Sequence, residues 1–163
     1  MASRSYAFRP MTAADLPTVG RWLAKQHVAE WWGDPAEQFA LVSEDLTHPA
    51  MDQFMVECDH RAFGYLQCYD PNAWANHGFG ALAPGARGID QFIGEEDMVD
   101  CGHGTAFIRA FVEDLLKTGV PQVLTDPSPA NGRAIRAYEK AGFRQQRPID
   151  TPDGAAVLMV RNP

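Results

Sequence analysis

The chain has few cysteines, no long apolar run and no cluster of basic residues. Its 163 residues include 3 Cys, and no two of them have the CxxC spacing of a zinc or redox motif. The odd count also argues against a disulfide framework. No stretch of about 18 apolar residues predicts a membrane span, and the first residues lack the apolar segment of a signal peptide. These absences predict a cytoplasmic protein with no metal and no membrane partner.

Acidic residues outnumber basic ones, and the basic ones are scattered. There are 14 Lys and Arg against 21 Asp and Glu, a net charge of −7. Without a basic stripe, nucleic acid is not an expected partner. An acidic surface attracts small cations, although the charge could serve solubility alone. The histidines have no metal-binding spacing and are expected on the surface: His27, His48, His60, His77 and His103.

Length and pattern predict one α/β domain over residues 1–163 with a mixed sheet. At 45% hydrophobic residues the chain can bury a sizeable core. The predicted order of elements is β-α-α-β-β-β-α-β-α-β-β. Four helices are predicted. The first ends near Gln26, the second starts at Asp34-Pro35, and the other two cover Thr105–Lys117 and Asn131–Ala141. The segment HVAEWWG, from His27 to Gly33, is expected to break the first helix, and Asp59-His60-Arg61 to turn a hairpin.

Two strand-to-helix junctions carry the clearest chemical signal. The first reads DCGHGT, and its glycines precede an amphipathic helix. Free N–H groups in the first turn of a helix favour an anion, and glycines let a phosphate approach the backbone closely. The spacing of these glycines matches neither a Walker loop nor a Rossmann fingerprint. Taken alone, a GxG loop is weak evidence and is more often an ordinary helix entry.

The second junction is TDPSPANGRAIRAYEKAGF. On the predicted helix Asn131, Ala134 and Tyr138 lie three and four residues apart, so they share one face. Ala134 leaves room where a ligand lies close, and Tyr138 places a hydroxyl at the end of the face. The alternative is that Tyr138 is a half-buried core residue.

Together these segments resemble the GNAT acetyltransferase superfamily. The strings EWWG, RGIDQ, GHGT, TDPSPxNxRAIRxYEKAGF and TPDGxAVxMV are similar to those of the aminoglycoside 6′-N-acetyltransferases, and much of the pattern is shared with siderophore-biosynthesis acetyltransferases. The resemblance implies a central, mostly antiparallel sheet of about seven strands with about four helices. It also implies acetyl-coenzyme A as co-substrate and a monomer or homodimer.

The resemblance assigns the cofactor-binding residues. The strand after Asp90 would polarise the thioester carbonyl through its backbone N–H groups. The glycine loop would hold the pyrophosphate, and the Asn131–Tyr138 face would line the pantetheine. The implied set is Gln91, Phe92, Ile93, Cys101, Gly102, His103, Gly104, Thr105, Asn131, Ala134 and Tyr138. Val99 departs from the superfamily pattern, in which a Gln or Arg precedes the glycine loop.

Acetyl transfer to an amine requires a base, because a protonated amine has no free electron pair. Asp90 is the candidate base. It lies in a strand with apolar neighbours, where a charged carboxylate costs folding free energy unless it has a partner or a function. Tyr138 is the candidate acid for the departing thiolate. Asp126 follows the next strand, at the edge where open α/β sheets bind ligands. Cys101 is a rival nucleophile that has no His-Asp pair to activate it.

A cationic amine, foremost an aminoglycoside, is the expected acceptor. Its predicted binding residues are Trp31, Trp32, Asp70, Trp74, Asp90 and Asp126. The long loop from Asp70 to Ala86 is expected to be functional or mobile. It differs from that of the aminoglycoside enzymes, in which the resemblance implies further acidic and tryptophan residues. Asp153 of TPDG is interpreted as a hairpin-turn residue. An N-hydroxylysine-type siderophore precursor and a non-catalytic acyl-coenzyme A-binding domain stay as alternatives.

Overall fold

The computed structural model describes residues 5–163, which form seven strands and five α-helices. The strands are β1 (Tyr6–Pro10), β2 (Met51–Cys58), β3 (Arg61–Tyr69), β4 (Arg87–Ile93), β5 (Val123–Thr125), β6 (Arg144–Thr151) and β7 (Gly154–Arg161). The helices are α1 (Leu16–Leu23), α2 (Gln26–Trp32), α3 (Pro35–Asp45), α4 (His103–Lys117) and α5 (Gly132–Lys140). The predicted order is confirmed, with one helix more than expected.

All seven strands belong to one sheet, in the order β1-β2-β3-β4-β5-β7-β6. β1 pairs antiparallel with β2, and β7 pairs antiparallel with both β5 and β6. β4 and β5 are parallel. The prediction of a mixed, mostly antiparallel sheet is therefore confirmed.

The extra helix is α2, which lies where HVAEWWG was predicted to break a helix. The first helix does end before this segment, at Leu23, but the segment forms a helix of its own, which the sequence did not predict. Lys25 stands at its N-cap without a side-chain hydrogen bond, so local capping does not signal the start. Val28 is buried, and Trp32 packs edge-to-face on Phe92 with ring centroids 5.1 Å apart. Tertiary packing stabilises this short helix, and Gly33, at φ 100°, ends it.

By its contacts the chain divides into two compact units. The first contains the residues up to Gln67 and Gln91–Gly104. Its core is centred on the fully buried Trp22, whose indole N–H donates to Glu95 at 3.0 Å. The β2–β3 turn has Asp59 and His60 at φ 51° and 65°, the left-handed geometry of a tight hairpin, so the predicted hairpin is confirmed.

The second unit contains Cys68–Asp90 and Thr105–Pro163. Its core includes residues of β5, β6 and β7 and, unexpectedly, Phe79 from the Asp70–Ala86 loop. Phe79 is buried, and its carbonyl accepts a hydrogen bond from Arg147 of β6 at 2.7 Å. This loop is thus anchored at its centre, which sequence periodicity could not reveal.

Candidate functional site

The glycine loop leads directly into α4. The helix starts at His103, two residues earlier than predicted, and Gly102 has a φ of 84°. A Cβ at Gly104 would meet nothing nearer than Ile93 Cδ1 at 3.8 Å, so the backbone surface there is open. With the N–H groups of a 15-residue helix behind it, this loop fits the phosphate groups of a cofactor. Cys101 is exposed, and its Sγ lies 3.3 Å from the Val99 carbonyl oxygen.

His103 is not on the surface, contrary to the sequence prediction. It is buried, and its Nδ1 lies 2.9 Å from the Tyr6 hydroxyl of β1. The two rings meet edge-to-face at 5.9 Å, and Phe63 lies 5.3 Å from the histidine ring. These contacts fix the first residue of α4, and with it the backbone of the glycine loop.

Helix α5 presents the predicted Asn131, Ala134 and Tyr138. Asn131 is the N-cap, one residue before the helix, and its Oδ1 accepts a hydrogen bond from the Ala134 N–H at 3.2 Å. Tyr138 is buried and packs edge-to-face on Phe143 at 5.3 Å. The capping contact and the ring contact hold the two ends of this face.

Asp90 and Asp126 lie near the ends of two paired parallel strands. Gly88 of β4 pairs with Leu124 of β5, and Asp126 follows the last residue of β5, Thr125. The buried Thr125 hydroxyl donates to the Ile89 carbonyl at 3.0 Å. That bond joins the residue before Asp90 to the residue before Asp126, and the charge of Asp90 acts on Asp126.

Asp126 has a pKa raised to about 8. The largest cause is burial, which penalises the charged form, followed by the negative charges of Asp90 and Asp153. Asp153 lies in the turn between β6 and β7, where its N–H donates to the Thr151 hydroxyl at 3.2 Å. It is therefore a turn residue, as interpreted, and its charge also acts on Asp126.

Tyr69, at the end of β3, was missed by the sequence analysis. A Cβ at Gly88 would lie 2.5 Å from its Cζ and 2.8 Å from its hydroxyl oxygen, so the ring lies directly over that glycine. Burial raises the pKa of the Tyr69 phenol well above its usual range, and the charges of Asp90 and Asp126 raise it further. The only sign of this contact in the sequence is Gly88, the glycine of RGID.

Four of the residues predicted to bind the acceptor have different surroundings. In the second unit, Trp74 packs edge-to-face on Tyr69 at 5.6 Å, and Asp70 accepts a hydrogen bond from the Asn72 N–H at 3.0 Å. In the first unit, Trp31 is 39% exposed, whereas Trp32 packs against core aromatics. Trp31 and Trp74 are thus better placed than Trp32 to offer a face to a ligand.

Within residues 5–163 no group of three or more His, Cys, Asp or Glu could hold a metal ion. No helix of this range is long and apolar enough to cross a membrane.

Comparison with known proteins gives consistent matches. The sequence pattern of the acetyltransferase (GNAT) domain family matches residues 11–151. The chain is 37% identical over 171 residues to the aminoglycoside N(6′)-acetyltransferase type 1 of Klebsiella pneumoniae, covering 96% of this chain and 83% of that protein. It is 52% identical over 79 residues to a kanamycin resistance protein of Rhizobium radiobacter, covering 48% and 73% respectively. A solved structure of AAC(6′)-Ib with ribostamycin and coenzyme A is 37% identical, with a TM-score of 0.88, covering 97% of this chain and 93% of that one.

Proposed function

This chain belongs to the GNAT acetyltransferase family, and we propose that it is an acetyl-coenzyme A-dependent aminoglycoside 6′-N-acetyltransferase that confers antibiotic resistance. The observation that carries the proposal is the acidic cluster of Asp90, Asp126 and Asp153, which suits an acceptor with several ammonium groups. Relatives that cover nearly the whole chain act on aminoglycosides by name, and one was solved with ribostamycin and coenzyme A.

Two segments, the glycine loop and helix α5, are each assigned to a part of the donor. Acetyl-coenzyme A supplies an acetyl thioester, which an amine attacks without an acyl-enzyme. Cys101, Gly102, His103, Gly104 and Thr105 are assigned to the phosphates, because backbone N–H groups at the start of α4 favour anions. The pantetheine is assigned to Asn131, Ala134 and Tyr138.

The acceptor side requires a base for the ammonium proton. An ammonium group with a pKa of roughly 8–10 is mostly protonated at neutral pH and cannot attack until it loses a proton. Asp90 is assigned to this step, directly or through one water molecule. Asp126 beside it is assigned to binding ammonium groups, together with Asp70. Trp31, Trp32 and Trp74 are assigned to walls that pack on sugar rings or cations.

Two further contributions complete the transfer. The backbone N–H groups of Gln91, Phe92 and Ile93 are assigned to the thioester oxygen, which becomes negative as the amine adds. Tyr138 is assigned as the proton donor to the departing thiolate. Its buried position on α5 shields that proton from bulk water.

The proposal is tested by measuring free thiol release from acetyl-coenzyme A. The acceptors are kanamycin, tobramycin, ribostamycin, an N-hydroxylysine and a peptide with a free N-terminus. We expect release with the aminoglycosides, and mass spectrometry with NMR should place the acetyl group on the 6′-amine. Release with the hydroxylysine or the peptide alone would refute the proposed acceptor.

Asp90→Asn separates a catalyst from a binding domain. We expect turnover to fall about 10²- to 10⁴-fold, the usual contribution of a general base, while coenzyme A binding measured by calorimetry is retained. Asp114→Asn, on the exposed face of α4, is the matched control and should behave as the wild type. Unchanged turnover in Asp90→Asn would remove Asp90 as the base.

A further inference from the structure

Helix α2 contacts the end of β4 at two points. At the start of the helix, Nε2 of His27 lies 2.9 Å from the Ile93 carbonyl oxygen. At its end, the Trp32 ring packs edge-to-face on Phe92 at 5.1 Å. His27 was predicted on the surface, but its side chain is only 23% exposed. The short helix therefore contacts the last two residues of β4, which the proposed function assigns to the donor thioester.

The chemistry of the first contact fixes the proton on His27. A carbonyl oxygen can only accept a hydrogen bond, so Nε2 carries the proton and donates to Ile93. The other ring nitrogen, Nδ1, lies 4.0 Å from the exposed Glu96 carboxylate, beyond hydrogen-bonding distance. The imidazole thus serves the Ile93 carbonyl as a hydrogen-bond donor.

The direction of the Ile93 carbonyl follows from the peptide that it belongs to. The peptide between Ile93 and Gly94 is trans, so its carbonyl and its N–H point in opposite directions. The Gly94 N–H donates to the Phe63 carbonyl of β3 at 2.7 Å, and the Ile93 carbonyl therefore points away from β3. In a strand the N–H and the carbonyl of one residue point to the same edge. The Ile93 N–H consequently points away from β3 as well, to the edge at which His27 lies.

The residue after Ile93 is held by the core of the first unit. A Cβ at Gly94 would collide with the fully buried Trp22 ring, so the indole lies directly against this glycine. The indole N–H donates to the next residue, Glu95, at 3.0 Å. These contacts fix one side of the Ile93–Gly94 peptide, and the His27 bond fixes the side that faces away from β3. A hydrogen-bond donor that is oriented before the reaction stabilises developing charge without rearrangement.

We propose that His27 is a positioning residue for the donor thioester, and that its bond to the Ile93 carbonyl keeps the Ile93 N–H directed at the thioester oxygen. This role rests on the proposed function, which assigns that N–H to the oxygen. As the amine nitrogen bonds to the acetyl carbon, the electron pair of the carbonyl moves to oxygen. It returns as the carbon–sulfur bond breaks and the thiolate leaves. The negative oxygen between these two events is what the oriented N–H stabilises.

Glutamine and asparagine at position 27 test the bond by their reach. The glutamine amide can occupy the place of Nε2 and donate to Ile93, whereas the shorter asparagine amide cannot. We expect His27→Asn and His27→Phe to lower kcat and kcat/KM for acetyl-coenzyme A about tenfold to hundredfold, the effect of displacing one hydrogen-bond donor from the oxyanion. His27→Gln should stay within about threefold of the wild type, because it keeps a hydrogen bond of ordinary strength. Calorimetric binding of coenzyme A should change by less than about twofold in each variant, since the free thiol has no thioester oxygen.

The carbonyl stretch of bound acetyl-coenzyme A reports on the same contact without an acceptor amine. Infrared difference spectra with acetyl-coenzyme A isotope-labelled at the carbonyl separate this band from those of the protein. In the wild type the band should lie at lower wavenumber than in free acetyl-coenzyme A, because a donated hydrogen bond weakens the C=O bond. It should return toward the free value in His27→Asn and His27→Phe and stay shifted in His27→Gln. A purely structural role for His27 would leave the band where it is.

His48→Phe is the matched control. His48 also bonds the backbone, since its Nδ1 accepts from the Ala50 N–H at 3.0 Å just before β2. This variant should match the wild type in rate and in carbonyl stretch, whatever it costs in stability. A wild-type rate and stretch in His27→Asn would overturn the role of His27, and so would equal losses in His27→Gln and His27→Asn. Because asparagine is smaller than histidine and polar, the test does not depend on whether His27→Phe folds.

The outcomes separate this role from the proposed function. A wild type that acetylates no aminoglycoside but shows the shifted, His27-dependent stretch would refute the proposed acceptor and support the role of His27. A wild type that acetylates kanamycin, with a stretch that is the same in His27→Asn, would overturn the role and leave the proposed function standing. A wild type that does not bind acetyl-coenzyme A would refute both.

Discussion

Replacing Asp126 with asparagine should make the protein more stable in alkaline solution. In the folded chain, burial and the charges of Asp90 and Asp153 raise the pKa of this carboxyl to about 8. In the unfolded chain the ordinary value, 3.8, applies. Between these two pH values the folded protein binds one proton more than the unfolded chain. The free energy of unfolding therefore falls as pH rises through this window.

The size of the effect follows from the same interval. A carboxyl moved from 3.8 to about 8 loses at most about 6 kcal/mol of stability above pH 8. Asp126 is only half-buried, so solvent screening reduces the expected loss to about 2 kcal/mol. Asparagine keeps the shape and cannot ionise, and Asp126→Asn should escape this loss. The variant should match the wild type near pH 4 and exceed it by about 2 kcal/mol at pH 9.

Urea unfolding at half-unit pH steps from 4 to 9 measures the difference directly. Other titrating groups are shared by both proteins and cancel in the comparison. Asp90→Asn should show a smaller gain at high pH, because it removes one of the two charges that act on Asp126. Asp114→Asn, with an exposed carboxyl, should follow the wild type. Parallel stability curves for wild type and Asp126→Asn across the whole range would refute the reasoning.

Three further outcomes are expected. Tyr138→Phe should lower kcat about tenfold or more with a slight effect on acetyl-coenzyme A binding, and an unchanged kcat would exclude it as the proton donor. Arg147→Met removes the hydrogen bond to the Phe79 carbonyl, so amide hydrogen exchange of residues 77–82 should accelerate while β7 stays protected. Equal exchange in both proteins would show that the buried Phe79 ring alone anchors the loop. The KM for kanamycin should rise severalfold between 0.05 and 0.5 M salt, and the KM for a neutral amine should not, because salt screens attraction to the carboxylates.

Local chemistry made several elements predictable. Helix α3 begins where the sequence placed it, because Asp34 accepts a hydrogen bond from the Glu37 N–H at 3.0 Å and Pro35 follows it. The TPDG turn between β6 and β7 follows from its turn residues in the same way. Both signals lie within a few residues of the element that they start or end.

The missed features depend on residues distant in the chain. Helix α2 has no side-chain cap, and Trp32 finds its partner, Phe92, far along the sequence. Tyr69 ends an ordinary β-rich run, and only the sheet brings Gly88 beneath its ring. Asp153 is a turn residue by every local criterion, and pairing of β5 with β7 is what brings its hairpin toward Asp126. Pattern analysis could find the strands but not which of their ends meet.

The electrostatic cost of the acidic cluster is itself an argument about the ligand. Elsewhere in the chain a carboxylate is paired with a cation: Arg9 donates to Asp15 at 2.8 Å and holds the pKa of that carboxyl below its ordinary value. At Asp126 the charges that shift the pKa are those of Asp90 and Asp153, and they shift it upward. A fold that gathers like charges loses stability unless something else neutralises them. An aminoglycoside, with several ammonium groups on one rigid frame, would supply to this cluster the positive charge that Arg9 supplies to Asp15.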